Sequence, residues 1–149
     1  MSKLTAEKYL RQLERMRVNL DMDEERLEHM RAKVYGASGF DYSRERVQTS
    51  SGKDQQSESV IRLMDFQKRV EEERERYERL EDTITDQIGS LSSPIGSKLL
   101  FKVYVQFKSI QHAACEIGVS QSYAYNIHTE SLREFEDRYP EQCIHNKKS

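Results

Sequence analysis

The residues best equipped to recognise another molecule gather between Ser109 and Leu132, where polar side chains recur at helical spacing among small and apolar ones. Gln121, Ser122, Tyr125, Asn126 and Thr129 fall on one outward helical face. Glutamine and asparagine pair bidentately with adenine in a major groove. Serine donates or accepts there, and tyrosine touches a phosphate or a thymine methyl. Lys102, Lys108, His112 and Arg133 flank this face as candidates for contacts to a nucleic-acid backbone. A polar surface of a small protein-binding module would show the same pattern.

Other chemistry is thinly represented. His112 and Cys115 stand one helical turn apart, and Cys143 and His145 lie close together further on. Four such ligands would bind zinc only if both segments folded together, and their spacing matches no familiar zinc module. Cys115 reads more simply as a small apolar residue. No Ser-His-Asp or Cys-His nucleophile arrangement and no glycine-rich phosphate loop stands out, and the carboxylates fall on charged helix faces where water solvates them. The expectation is a protein that is not an enzyme and holds no cofactor and no metal.

The recognition face needs two helices to carry it. Ser109 is a fitting N-cap for a short helix over Ile110 to Ile117. Ala114 leaves room for a second helix to cross closely, and Gly118 suits the left-handed conformation that ends a helix. Val119 would plug the turn, Ser120 would cap the next helix, and Ala124 and Ile127 would face inward. Close crossing, tight turn and buried stripe together are the packing requirements of a helix-turn-helix. Leu99, Leu100, Val103, Tyr104 and Phe107 give the preceding helix one apolar face, so the head is placed at residues 97–139, with a flexible polar tail at 140–149.

Upstream lies a different composition. Over 149 residues only 36% are hydrophobic and 34% are charged, too little apolar material for one large core, which points to long exposed helices. From Thr5 to Tyr35, apolar Tyr9, Leu13, Met16, Leu20, Leu27, Met30 and Val34 alternate steps of four and three, with Asp23 in the missing seam position. From Ser59 to Ile88 the pattern returns through Leu63, Phe66, Val70, Tyr77, Leu80 and Ile84, with Glu73 in the gap. Residues 36–57, rich in Gly, Ser, Asp and Gln, read as a long loop. Residues 5–88 are thus expected to form an antiparallel coiled-coil hairpin arm, with Asp23 and Glu73 at one level of its seam. Such an acid pair would need Arg26, Arg69, Arg74 or water as partners. Residues 89–96, GSLSSPIG, read as a hinge. The fold class is all-α.

Charge bounds the partners. The net charge is −2, and residues 97–149 carry seven Lys/Arg against six Asp/Glu, so DNA affinity must come from a local patch. The two cysteines suggest no disulfide framework. No apolar run approaches the ~20 residues of a membrane span, and the N-terminus lacks a signal-peptide core. The expected location is cytoplasmic, with no membrane partner.

Two strings in the sequence resemble a known family. One is ERVQTSSGK, Glu45 to Lys53, after an N-terminal coiled helix. The other is the head pattern of Ser109, Ala114, Gly118 and Ser120, followed by Tyr125 and by His128 ahead of Leu132. Both are similar to small phage- and prophage-encoded transcriptional regulators of the ArpU/RinA-like group, whose heads are similar to region 4 of sigma factors. The similarity runs from about Tyr9 to Phe135, and the ERVQTSSGK string is its more specific part. The segment VYVQFKS keeps only Tyr104 of the Arg-Tyr and Gly common there, and Gln121 and Ser122 stand where basic residues often begin the second helix.

The resemblance implies promoter DNA as ligand and late-gene activation in a bacterial host cell, and host RNA polymerase is expected as a further partner. The heptads of the arm are expected to mediate self-association as a homo-oligomer, most simply a dimer with two heads on paired half-sites. The ERVQTSSGK segment is either a solvated connection or a docking site in which Arg44, Arg46 and Lys53 contact DNA or polymerase. Two alternatives remain: a packaging-DNA recognition protein like a small terminase subunit, and a coiled-coil adaptor whose head binds protein.

Overall fold

The computed structural model describes residues 5–36 and 50–143, and the chain is all-α, with no strand among the described residues. Helix α1 spans Thr5–Arg31 and widens into a π-helical turn at Ala32–Gly36; α2 spans Ser50–Gly89. Helix α3, Pro94–Leu100, runs into a second π-helical turn, Phe101–Val105; α4 is Ile110–Ile117 and α5 is Gln121–Arg138. Among the described residues no helix is long and apolar enough to cross a membrane.

Helix α2 starts at Ser50, inside the stretch 36–57 read as a loop. The physical reason is that an apolar period reports burial, not helicity. Lysine and glutamine are good helix formers, and extending an existing helix gains a hydrogen bond per residue without a new nucleus. Lys53 falls in the opening turns of α2, while Arg44 and Arg46 lie outside the described residues.

The chain folds into two compact units, Met1–Arg17 with Tyr77–Ser149, and Val18–Arg76. The boundary therefore differs from the arm-and-head division at residues 88 and 97. The apolar period continues through α1 and α2, so it gives no sign of where their neighbours change.

In the unit Val18–Arg76, Leu20, Leu27, Leu63, Phe66 and Val70 are buried, and the outer positions are mostly charged, with Val18, Met22, Ile61 and Met64 also exposed among them. Arg74 donates to Glu24 and Arg31 to Gln67, so residue numbers fall along α2 as they rise along α1: the two segments run antiparallel. Asp23 and Glu73 meet across this seam, as their shared heptad gap requires. Of the arginines expected beside them, Arg69 acts on Glu73 through its charge, together with Arg76. Arg74 is taken by Glu24, and the Arg26 and Arg69 guanidiniums lie 4.9 and 5.4 Å from the Phe66 ring centroid. Glu73 Oε1 is buried without a hydrogen-bond partner. Burial, then the hydrogen bond and charge of Asp23, push the Glu73 carboxyl above its ordinary range, against the opposing pull of Arg76 and Arg69.

The other unit has a core assembled from all of its helices. Ala6, Tyr9, Leu10 and Leu13 of α1 are buried with Ile84 and Ile88 of α2, Leu99 and Leu100 of α3, Ala113 and Ala114 of α4, and Ala124, Leu132 and Phe135 of α5. Tyr9 and Phe135 rings lie 5.9 Å apart, and Glu136 accepts the backbone N–H of Ala6, one of the orphan donors of the α1 N-terminus. Tyr9 also donates its hydroxyl to Gln87 at 2.9 Å in the interior.

Residues 89–96, read as a hinge, are instead tied down. Ser90 bonds the Tyr139 hydroxyl, Ser92 donates its N–H and hydroxyl to Glu134, and Ser97 Oγ bonds the Ile88 carbonyl. Gly96 sits so close to α5 that a Cβ there would come within 2.2 Å of Ser131 Oγ. Serine and glycine signal a break in the helix; here they also serve as hydrogen-bonding and close-packing residues. Of the segment read as a flexible tail, residues 140–143 form a helical turn that buries Cys143, and 144–149 lie outside the described residues.

Candidate nucleic-acid interface

Helices α4 and α5 are joined by a three-residue turn whose local chemistry explains its shape. Ser109 caps α4 by accepting the His112 N–H, and Ser120 caps α5 by accepting the Tyr123 N–H. Gly118 takes φ 89° and ψ 34°, the left-handed conformation, and its N–H returns to the Ala114 carbonyl. Ala114 and Ala124 are buried where the two helices pack, while Val119 and Ile127 are only half-buried. The geometry is compatible with a helix-turn-helix.

Gln121, Ser122, Tyr125, Asn126, Thr129 and Arg133 are all exposed on α5. Ser122, Asn126, Thr129 and Arg133 follow one another at steps of four, three and four, so they form one stripe along the helix. Tyr125 is fixed by a hydrogen bond from Gln111 of α4 to its hydroxyl, 3.0 Å long. Thr129 spends its hydroxyl on the Tyr125 carbonyl, which leaves it a methyl and an acceptor to present. Exposed Tyr123 lies on the same helix and was not singled out by the polar pattern.

Three of the four flanking candidates, Lys102, Lys108 and His112, converge on one carboxylate. Glu116 Oε1 is 2.7 Å from Lys102 Nζ and 2.8 Å from Lys108 Nζ; its Oε2 is 2.9 Å from Lys108 Nζ and 2.9 Å from His112 Nε2. The hydrogen bonds from Lys102 and Lys108, with that from His112 after them, outweigh the desolvation penalty and pull the Glu116 carboxyl down to about 2. Glu116 belonged to the charged faces read as merely solvated. Its i,i+4 spacing to His112 was the one local signal of this cluster.

The backbone helps to gather these groups. After the π-helical turn, Gln106 N–H bonds the Phe101 carbonyl and Lys108 N–H the Lys102 carbonyl. Phe107 between them has φ 62°, a left-handed conformation that costs a residue with a Cβ about 1–2 kcal/mol. This reversal returns Lys108 to the neighbourhood of Lys102. It also leaves Phe107 only half-buried, unlike Leu99, Leu100, Val103 and Tyr104 of the same apolar face.

Cys115 is exposed, Cys143 is buried, and His145 lies outside the described residues. Among the described residues no three His, Cys, Asp or Glu side chains are grouped to hold a metal ion.

No protein-family model matches the chain, and neither a curated protein nor a solved structure matches it.

Proposed function

We propose that this protein is a phage- or prophage-encoded DNA-binding transcriptional regulator, an activator of late genes that engages promoter DNA through α5. The observation that carries the reading is the exposed stripe of Gln121, Ser122, Tyr125 and Asn126 on a helix capped and crossed by α4. Those side chains offer base-edge donors and acceptors, and the helix is held by its own turn chemistry. The resemblance at Glu45–Lys53 and Ser109–Ser120 supplies the biological setting. In this reading the heptads of α1 and α2 also mediate self-association, so that two heads share paired half-sites, and the protein acts beside host RNA polymerase.

The test is binding of duplex DNA from upstream of late genes, compared with unrelated duplex, across a salt series. Gln121→Ala with Asn126→Ala should abolish the preference for the specific duplex and leave weak non-specific binding. An unchanged preference would show that α5 is not the reading helix. A second reading, a protein-binding adaptor, is favoured by the engagement of Lys102, Lys108 and His112 with Glu116, which leaves the face little free positive charge. Salt-insensitive binding to a protein, with no DNA binding, would decide for it.

A further inference from the structure

The cluster around Glu116 has the composition of an anion site with its occupant built in. Two ammonium groups and one imidazole nitrogen approach the two oxygens of a single carboxylate, all within 2.9 Å. A phosphodiester presents the same thing to such donors: two acceptor oxygens sharing one negative charge. With Glu116 in place the two lysines still leave one positive charge in excess, and a protonated His112 would leave two. The donors come from three separate places, the π-helical turn, the segment after strained Phe107, and α4, so they are positioned by the fold and not by one flexible run. The cluster also adjoins the proposed reading face, because Gln111, the neighbour of His112, holds the Tyr125 hydroxyl.

We propose that Lys102, Lys108 and His112 form a phosphate site for the nucleic-acid backbone, and that Glu116 is its internal competitor, displaced when DNA docks. This rests on the DNA-binding reading of α5 and adds its regulation. Glu116 holds the lysines ready, weakens non-specific binding by competing for them, and gives way most fully where base contacts on α5 supplement the phosphate contact. The depressed Glu116 carboxyl stays ionised across the physiological range, so the competition persists there.

The experiment uses the full chain, with Glu116→Gln and Lys108→Gln as variants and folding checked by circular dichroism. Two probes are titrated: a fluorescently labelled mixed-sequence duplex, and inorganic phosphate followed at the His112 imidazole by NMR. Glu116→Gln should bind the duplex several-fold more tightly, with a log affinity against log salt slope steeper by about one, the increment for one more neutralised phosphate. Phosphate should move the His112 signals of this variant at lower concentration than in the native protein. Lys108→Gln should shift duplex affinity and slope the opposite way, which keeps the test decisive if Glu116→Gln does not fold.

Native affinity and slope in a folded Glu116→Gln, with no phosphate response at His112, would overturn the proposal and mark the cluster as a structural staple. If that occurred while Gln121→Ala with Asn126→Ala still lost sequence preference, the DNA-binding reading would stand alone. A phosphate response at His112 with no duplex bound by any variant would keep the anion site and remove its nucleic-acid role.

Discussion

The Tyr104 hydroxyl lies 2.7 Å from Nε2 of His128, and the two rings stack with centroids 5.7 Å apart. Tyr104 is buried beneath Arg11, whose guanidinium sits 5.1 Å from the ring centroid, and burial pushes the phenol above its ordinary range. The phenol therefore stays protonated, and which of it and neutral His128 donates follows the imidazole tautomer. Burial lowers the His128 pKa; the Glu7 charge opposes that and the Arg11 charge adds to it. The unfolded chain thus takes up the proton first as pH falls. Stability should be fully present above the ordinary histidine value, about 6.5, and lost as pH drops through the lower folded value. Melting temperatures between pH 7 and pH 5 should fall in the native protein and fall less in His128→Gln. Tyr104→Phe should cost about 1 kcal/mol at pH 7 by removing this hydrogen bond.

Glu73 gives the opposite slope. Its folded pKa is raised, so the folded state favours the protonated carboxyl. Its contribution is fully present below the unfolded value and is lost as pH rises through the folded one. Glu73→Gln should stabilise the helices at pH 7 and much less at pH 4, as followed by circular dichroism melts. An equal gain at both pH values would separate the effect from the Asp23–Glu73 pair.

Gly96 is fixed by space. Alanine there would place Cβ 2.2 Å from Ser131 Oγ, which is itself buried against α3. Gly96→Ala should destabilise by about 1–3 kcal/mol through this overpacking. Adding Ser131→Ala, which deletes the clashing oxygen, should recover part of the loss in a chemical denaturation cycle. Strict additivity of the two changes would rule out the contact as the cause.

Gly118 is fixed by conformation. A Cβ there meets nothing within 4 Å, but φ is 89°. Gly118→Ala should therefore cost about 1–2 kcal/mol through backbone strain alone. Gly118→Asn should cost less, because asparagine tolerates the left-handed region. Equal losses for the two variants in urea unfolding would count against a conformational origin.

Sequence alone determined what depends on near neighbours. The seam positions from Tyr9 to Ile84, the caps Ser109 and Ser120, the left-handed Gly118 and the outward stripe from Gln121 to Asn126 all follow from interactions spanning a few residues. Such interactions leave a period or a spacing to read. The tertiary structure decided what joins distant segments. Tyr9 against Phe135, Ser92 against Glu134, Gly96 against Ser131, and Lys102 with Lys108 around Glu116 are contacts between elements whose meeting no local period encodes. For the same reason a surface that reads in sequence as four dispersed charges becomes, once folded, three donors held by one acid.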